Sequence, residues 1–203
     1  REAGLPVFVS YGLTEMASQV CTSSAGEPKV IRTLDYRQLK ISDKNEIQVK
    51  GATLFKGYVD GDEVTLPVDA ESWFATGDTG KLDERGSLSV TGRKDNMFIS
   101  GGENIHPEEI EHALLELDEV LETVVVPVPD DEFDLRPVAF VRFTEGEPDL
   151  SGEQVRTRLL EGGLPRFKLP IAFFPWPQDL RTGEMKRSRA AFNERARKLC
   201  SNR

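Results

Sequence analysis

The sequence predicts an α+β fold in two parts: a small β-rich subdomain over residues 1–94 and a mixed α/β domain over residues 95–203. In the first part, residues 37–90 alternate apolar and polar side chains between turn-forming segments, with no sustained helical period. After Gly92, segments with an apolar helical face alternate with valine-rich runs, a pattern typical of helices packed on a sheet.

The chain opens on a largely apolar run, residues 5–12, which is typical of a strand buried on both faces in a parallel sheet. No upstream residues can supply the neighbouring strands, so we expect the chain to be a piece of a longer protein. Residues 1–29 should therefore be poorly ordered or paired with material outside the chain. Among them, residues 22–29 contain several small polar side chains and a glycine, and we interpret them as a linker.

Two hairpins are predicted next. Alternating residues 39–41 and 47–49 flank a polar turn, and residues 80–82 and 88–90 flank a second turn that ends in Gly86.

Three helices and three strands are predicted in the second part. One helix begins at Pro107, a residue suited to the first helical turn, and the acidic residues that follow it favour the helix dipole. Ser151 and Gln154 form a capping box at the start of another helix, and Ser188 is placed to cap the last. The predicted strands cover residues 121–128, 137–143 and 171–174.

Composition and charge exclude several functional classes. Of the 203 residues, 38% are hydrophobic and 30% are charged, and the formal net charge is -9. That charge disfavours binding to nucleic acid or to anionic membranes, because both would repel the protein. No apolar run approaches the roughly 20 residues that span a bilayer. Cys21 and Cys200 lack the spacing of metal ligands, so we expect reduced thiols and a cytoplasmic location.

Neither histidine indicates a catalytic or metal site. His106 precedes the first predicted helix and is placed to cap it, whereas His112 lies among glutamates on that helix and should be solvated.

Five motifs follow one another along the chain. They are YGLTE at residues 11–15, ATGD at 75–78, GRKD at 92–95, SGGENIHPEEIE at 100–111, and Lys186 with Arg189. Each motif alone has an ordinary explanation, such as a helix cap, a turn or a surface ion pair. In this order they resemble the C-terminal half of the adenylate-forming acid–CoA ligases, which activate a carboxylate with ATP and pass it to a thiol. The resemblance covers nearly the whole chain.

The resemblance implies a nucleotide site in the first part. Tyr11 would lie against the adenine of ATP, with Gly12 beside it, and Thr14 would contact phosphate. Glu15 would help to hold Mg²⁺, which prefers carboxylate and phosphate oxygens.

Three further residues complete this implied site. Asp78 would accept hydrogen bonds from the ribose hydroxyls, which suits an acceptor-only carboxylate. Arg93 would contact ribose or phosphate, and Asp95 would be the hinge of a mobile C-terminal domain. A turn aspartate and a surface ion pair are the simpler explanations of these residues.

The remaining motifs imply the thiol channel and the catalytic lysine. Gly101 and Gly102 would line the channel for the pantetheine arm of coenzyme A, since adjacent glycines allow positive φ and close approach; a flexible turn is the alternative. Lys186 would neutralise charge as the substrate carboxylate attacks the α-phosphate. Met185 stands where many members of the family have glycine, which leaves the lysine ammonium in place.

The resemblance also places the phosphate loop and most of the acyl pocket in a missing N-terminal part, so the 203-residue chain alone should be inactive. The implied substrates are ATP with Mg²⁺, coenzyme A and a small carboxylic acid. Fatty acids remain alternative substrates. Two other classes also remain: an adenylation domain serving a carrier protein, and a non-catalytic binding module. The latter leaves the joint retention of Lys186, Asp78, Glu15 and Arg93 unexplained.

Overall fold

A computed structural model of the chain describes residues 7–24, 27–146, 150–177 and 189–201. The chain divides into two compact units, Arg1–Asp95 and Asn96–Arg203. Among the described residues, the first unit contains strands and short 3-10 turns, and the second combines three α-helices with five strands. The predicted α+β class is confirmed.

The first unit begins with an antiparallel sheet of three strands, in the order β1-β2-β3. These are β1 (Ser10–Leu13), β2 (Ser18–Ser24) and β3 (Glu27–Thr33). A 3-10 turn, Thr14–Met16, joins β1 directly to β2, and Ala17 after it has a φ of 53°. The tight turn reverses the chain, so the two strands pair as a hairpin.

Two predictions for this region are wrong. The strand begins at Ser10 and pairs antiparallel, and the apolar residues before it, Val7 and Phe8, are 58% and 55% exposed. An apolar run alone cannot distinguish parallel from antiparallel pairing. The predicted linker at residues 22–29 instead supplies parts of β2 and β3. Small polar side chains suit these strands, because buried Ser23 accepts a hydrogen bond through its Oγ atom from Val9 N (2.9 Å).

The second sheet contains both predicted hairpins, which are confirmed. Its antiparallel order is β4-β5-β8-β9, and β6 pairs with β7 in a separate hairpin. The strands are β4 (Arg37–Ile41), β5 (Glu46–Gly51), β6 (Tyr58–Asp60), β7 (Glu63–Thr65), β8 (Phe74–Leu82) and β9 (Leu88–Arg93).

One apolar core holds the first unit together. Its buried members are Tyr11, Met16, Val20, Cys21, Ile47, Val49, Phe74 and Leu88. Full burial of a side chain such as Ile47 stabilises a fold by about 1.5–3 kcal/mol. Because Tyr11 belongs to this core, the first of the predicted nucleotide residues has a fixed position.

The second unit is built on a sheet in the order β12-β13-β14, antiparallel between the first two strands and parallel between the last two. Its elements are β10 (Phe98–Ser100), β11 (Glu103–Ile105), α1 (Pro107–Leu115), β12 (Val120–Asp130), β13 (Asp134–Phe143), α2 (Gly152–Glu161), β14 (Ala172–Pro175) and α3 (Arg189–Cys200). The three predicted strands and the helices at Pro107 and Ser151 are confirmed. Ser188 lies outside the described residues.

Local sequence explains where the helices begin. The Ser151 hydroxyl accepts from Gln154 N (3.3 Å) while the Gln154 side chain accepts from Ser151 N (2.9 Å), which completes the capping box. His106 occupies the N-cap position of α1, but its side chain makes no capping hydrogen bond. His112 is solvated as predicted, with its side chain 80% exposed.

The central parts of β12 and β13 are continuously apolar because the sheet is buried on both faces there. One core includes Ile110 and Leu114 of α1 and Leu159 of α2, and the other includes Phe192 and Ala196 of α3. In the described part of the chain, no helix is both long enough and apolar enough to cross a membrane.

Candidate functional site

Four of the predicted site residues are joined by side-chain contacts in the first unit. The Tyr11 hydroxyl donates to Asp78 Oδ2 (2.8 Å), and Arg93 Nη1 donates to Asp78 Oδ1 (3.0 Å). Arg93 Nη2 also lies 3.4 Å from Asp95 Oδ2. We call Tyr11, Asp78 and Arg93 the carboxylate cluster. The simpler explanation of Arg93 and Asp95, a surface ion pair, is therefore supported, and Arg93 forms a second ion pair with Asp78.

Strand register positions this cluster. Asp78 on β8 and Arg93 on β9 are direct partners across the hairpin. Thr76 fixes the strand before Asp78, since its hydroxyl donates to Ile47 O (2.8 Å) and accepts from Asp78 N (3.1 Å). Gly77 has a φ of 75°, and a Cβ atom there would lie 3.1 Å from the Arg93 guanidinium. The ATGD motif therefore leaves room for the arginine.

Burial decides the electrostatics of the cluster. Burial, together with the neighbouring Asp78 carboxylate, raises the pKa of the Tyr11 phenol well above its usual range, so Tyr11 remains a hydrogen-bond donor. The Asp78 side chain is only 15% exposed, against 50% for Arg93. Each Asp78 oxygen accepts one bond from the cluster, and a carboxylate oxygen can accept two. The carboxylate can thus bind further donors while the cluster stays intact.

Glu15 has its own partner, which the sequence did not reveal. The Tyr58 hydroxyl donates to Glu15 Oε1 (2.7 Å), and this hydrogen bond raises the pKa of Tyr58. The backbone of Glu15 accepts from Phe55 N (2.7 Å), and the Phe55 and Tyr58 rings meet edge to face. Tyr58 lies 43 residues from Glu15, so no local pattern could have identified it.

An open cavity of about 600 Å³ adjoins the YGLTE motif, and Gly12 and Thr14 are part of its lining. The other lining residues are Ser10, Leu13, Ala17, Ser18 and Gln19. Position 12 admits only glycine, because a Cβ atom there would lie 2.0 Å from the carbonyl oxygen of Ser18.

Gly101 and Gly102 form the two-residue turn between β10 and β11. Their φ angles are 55° and 85°, and a tight hairpin turn of this kind requires positive φ at both central residues. Gly101 N also donates to Phe133 O (3.0 Å). The turn is therefore a defined hairpin that is tied to the loop after β12.

Asp95 lies at the boundary between the two units, in the 3-10 turn Lys94–Asn96. Lys186 and Met185 lie outside the described residues. Arg189 of the same motif is described, and its guanidinium binds both carboxylate oxygens of Glu111 (2.7 and 3.1 Å) and donates to Val125 O. This bidentate contact anchors the start of α3.

Comparisons with known proteins support the resemblance to the adenylate-forming ligases. Residues 109–186 match the family of the AMP-binding enzyme C-terminal domain. Over 195 residues the chain is 40% identical to the 2-succinylbenzoate–CoA ligase of Escherichia coli (strain K12), covering 96% of this chain and 42% of that protein.

Two solved structures show the same similarity in three dimensions. A variant of E. coli MenE with bound OSB-AMS superposes with a TM-score of 0.82 at 36% identity, covering 98% of this chain and 42% of that one. The o-succinylbenzoate coenzyme A synthetase (MenE) of Bacillus subtilis, in complex with ATP and magnesium ion, gives 0.72 at 33% identity, covering 86% and 38%. The resemblance inferred from the motifs is confirmed.

Proposed function

Because this chain is a homologue of the C-terminal part of the adenylate-forming acid–CoA ligases, we propose that it serves an enzyme of that reaction class. The chain spans 42% and 43% of the length of the E. coli and Salmonella typhimurium ligases that it matches. In the proposed reaction a carboxylate attacks the α-phosphate of ATP and releases pyrophosphate. The thiol of coenzyme A then displaces AMP and forms the thioester.

The observation that carries the proposal is the carboxylate cluster. Tyr11 and Arg93 each donate to one oxygen of Asp78, so each oxygen keeps one lone pair that can accept a further hydrogen bond. This suits an acceptor for the two ribose hydroxyls. Tyr11 is only 9% exposed, so it offers adenine little more than an edge and holds Asp78 in place through its hydroxyl. Arg93, half exposed, can reach ribose or phosphate without leaving Asp78.

Phosphate and Mg²⁺ would be bound near the YGLTE motif. The cavity lined by Gly12 and Thr14 is open to a phosphate chain, and the Thr14 hydroxyl is a donor for it. Glu15 fits Mg²⁺, because Tyr58 occupies Oε1 and leaves Oε2 as the ligand atom. Among the described residues, no group of three or more His, Cys, Asp or Glu side chains could hold a metal. An ion that takes its other oxygens from phosphate and water suits this single carboxylate, and would neutralise phosphate charge.

The second unit would supply the thiol channel and the catalytic lysine. The Gly101–Gly102 turn is exposed, and a Cβ atom at Gly102 would meet nothing within 4 Å, so an extended pantetheine arm can pass there. Asp95, at the boundary between the units, is the proposed hinge about which the C-terminal domain turns between the two half-reactions. The role of Lys186 in adenylation rests on the resemblance alone.

The proposed acid is 2-succinylbenzoate, which would place the protein in menaquinone biosynthesis. Support comes from residues 97–103 and 132–139 and the spacing around Lys186, which resemble the 2-succinylbenzoate member of the family, and from the relatives' names. The two free cysteines, Cys21 and Cys200, support a reducing, cytoplasmic compartment.

A substrate panel with the full-length gene product tests the proposal. We expect AMP release that depends on both 2-succinylbenzoate and coenzyme A, and none with fatty acids. AMP release with fatty acids instead would identify the protein as a fatty-acid ligase. Nucleotide binding without any AMP release would favour the non-catalytic binding module. The 203-residue chain alone should show no pyrophosphate exchange, since the resemblance implies that the phosphate loop lies outside it.

A further inference from the structure

Phe133 closes one side of the Gly101–Gly102 turn. Its carbonyl oxygen accepts from Gly101 N (3.0 Å), and a Cβ atom on Gly101 would lie only 2.6 Å from the Phe133 ring. The other glycine is different, because a Cβ atom on Gly102 would meet nothing within 4 Å. The turn thus has one side packed against an aromatic ring and one side open.

The ring of Phe133 is itself held in place. Asp130 Oδ1 accepts from Phe133 N (3.0 Å), and the Phe133 carbonyl also accepts from Leu135 N (2.7 Å). The Arg136 guanidinium lies 4.7 Å from the ring centroid, in a cation–π contact. These residues lie at the ends of β12 and β13, two strands with mostly buried side chains, so the loop has a rigid base.

We propose that Phe133 is a positioning residue for the thioester step. Two consecutive glycines have more backbone freedom than any other pair, and an isolated turn of this kind would sample many conformations. Phe133 removes that freedom from the Gly101 side and leaves the open side at Gly102 to the pantetheine arm. The inference rests on the proposed function, because it needs the turn to line the thiol channel.

The chemistry explains why position matters at this step. The sulfur of coenzyme A forms a bond to the acyl carbon, the bond from that carbon to the phosphate oxygen breaks, AMP leaves with the electron pair, and the thiol proton goes to solvent. The arm is long and uncharged near its thiol, so shape must align it. Misplacement of a reacting group by about 1 Å can cost on the order of 10²-fold in rate.

The test uses the full-length gene product with 2-succinylbenzoate, ATP, Mg²⁺ and coenzyme A. For Phe133→Ala we expect thioester formation from pre-formed acyl-adenylate to slow by on the order of 10²-fold in single turnover, with pyrophosphate release unchanged. Phe133→Tyr keeps the ring and should retain both rates. Phe167→Ala is the matched control, since that ring is 42% exposed in the same unit.

Each outcome of these assays either supports or contradicts the proposed role of Phe133. Unchanged adenylation in Phe133→Ala would show that the C-terminal unit is folded, because that step depends on Lys186. Equal loss of both steps, no loss, or failure of Phe133→Tyr to rescue would overturn the inference alone. If Phe133→Ala unfolds, Phe133→Leu carries the same expectations. A wild-type protein that makes neither adenylate nor thioester would overturn the proposed function, and the inference with it.

Discussion

The carboxylate cluster of the first unit and the Gly101–Gly102 turn of the second are built on different principles. The cluster consists of charged and polar side chains whose contacts fix one another, with Asp78 held by Tyr11 on one oxygen and by Arg93 on the other. The turn presents no side chain at all, and its conformation depends on two positive φ angles and on contact with Phe133.

This difference predicts different sensitivities. A site made of charge should respond to substitutions that keep shape and remove charge, whereas a site made of backbone shape should respond to added bulk. The two proposed half-reactions provide separate measurements, pyrophosphate release for the first and thioester formation for the second. Substitutions that affect both half-reactions equally would show that the two sites do not act in separate steps.

Removal of the lysine charge should have the largest effect. For Lys186→Ala in the full-length protein we expect adenylation to fall by on the order of 10²–10³-fold, as for loss of a donor that stabilises developing charge. Thioester formation from pre-formed acyl-adenylate should survive. Lys198→Ala is the control, because the Lys198 side chain is 74% exposed and pairs with Glu194 on the same helix.

Added bulk at the open side of the turn should have the opposite effect, with thioester formation lost and adenylation retained. For Gly102→Val we expect thioester formation to fall by on the order of 10²-fold while adenylation continues, because the β-branched side chain blocks the channel and displaces the arm. Strain at a φ of 85° also costs about 1–3 kcal/mol. Gly61→Val separates the two causes, since Gly61 has a φ of 59° in an open turn elsewhere. Loss of thioester formation in both variants would mean that strain, not blockage, is responsible.

Loss of the Asp78 carboxylate charge should have a smaller effect, confined to the affinity for ATP. In Asp78→Asn the side chain keeps one acceptor oxygen but loses its charge, so the ion pair with Arg93 is lost and one of the two acceptor positions becomes an amide donor. We expect the KM for ATP to rise by about 10–100-fold, since hydrogen bonds to charged groups contribute about 1.5–3 kcal/mol. The KM for coenzyme A should not change.

Asp83→Asn provides the matched control for that substitution. Asp83 lies in the turn of the same hairpin, where its carboxylate accepts from the backbone N–H groups of Arg85 and Ser87. An equal rise in the KM for ATP in this variant would show that the hairpin as a whole, and not the Asp78 carboxylate, sets nucleotide affinity.

Sequence reasoning succeeded where rules are local. The capping box at Ser151 and the helix start at Pro107 depend on residues within one turn of each other, and both are present. It failed on the strand at Ser10, because pairing direction is decided by the tight turn that follows. It also missed Tyr58 and Phe133, whose partners lie 43 and 32 residues away, so only the folded chain brings them together.

The smallest expected effect concerns the buried phenol of Tyr11. Its pKa is raised in the folded chain, mainly by burial, so the unfolded state loses this proton first as the pH rises. The contribution of Tyr11 to the free energy of unfolding should therefore be constant below the ordinary tyrosine pKa of about 10 and fall above it, by up to about 1.4 kcal/mol per pH unit. Urea denaturation between pH 8 and about 11 measures this slope.

Tyr11→Phe should reduce that alkaline loss, leaving the part due to Tyr58 and Cys21, whose pKa values are also raised in the folded chain. It should lower stability at neutral pH by about 1 kcal/mol, the usual contribution of one hydrogen bond. Tyr36→Phe, which changes a side chain that is 82% exposed, should keep the wild-type slope. Because Asp78 keeps its contact to Arg93 in Tyr11→Phe, the KM for ATP should rise less than in Asp78→Asn. An equal rise in both variants would show that the tyrosine contacts the nucleotide itself, and the cluster would then have two ligand-binding members instead of one carboxylate and its supports.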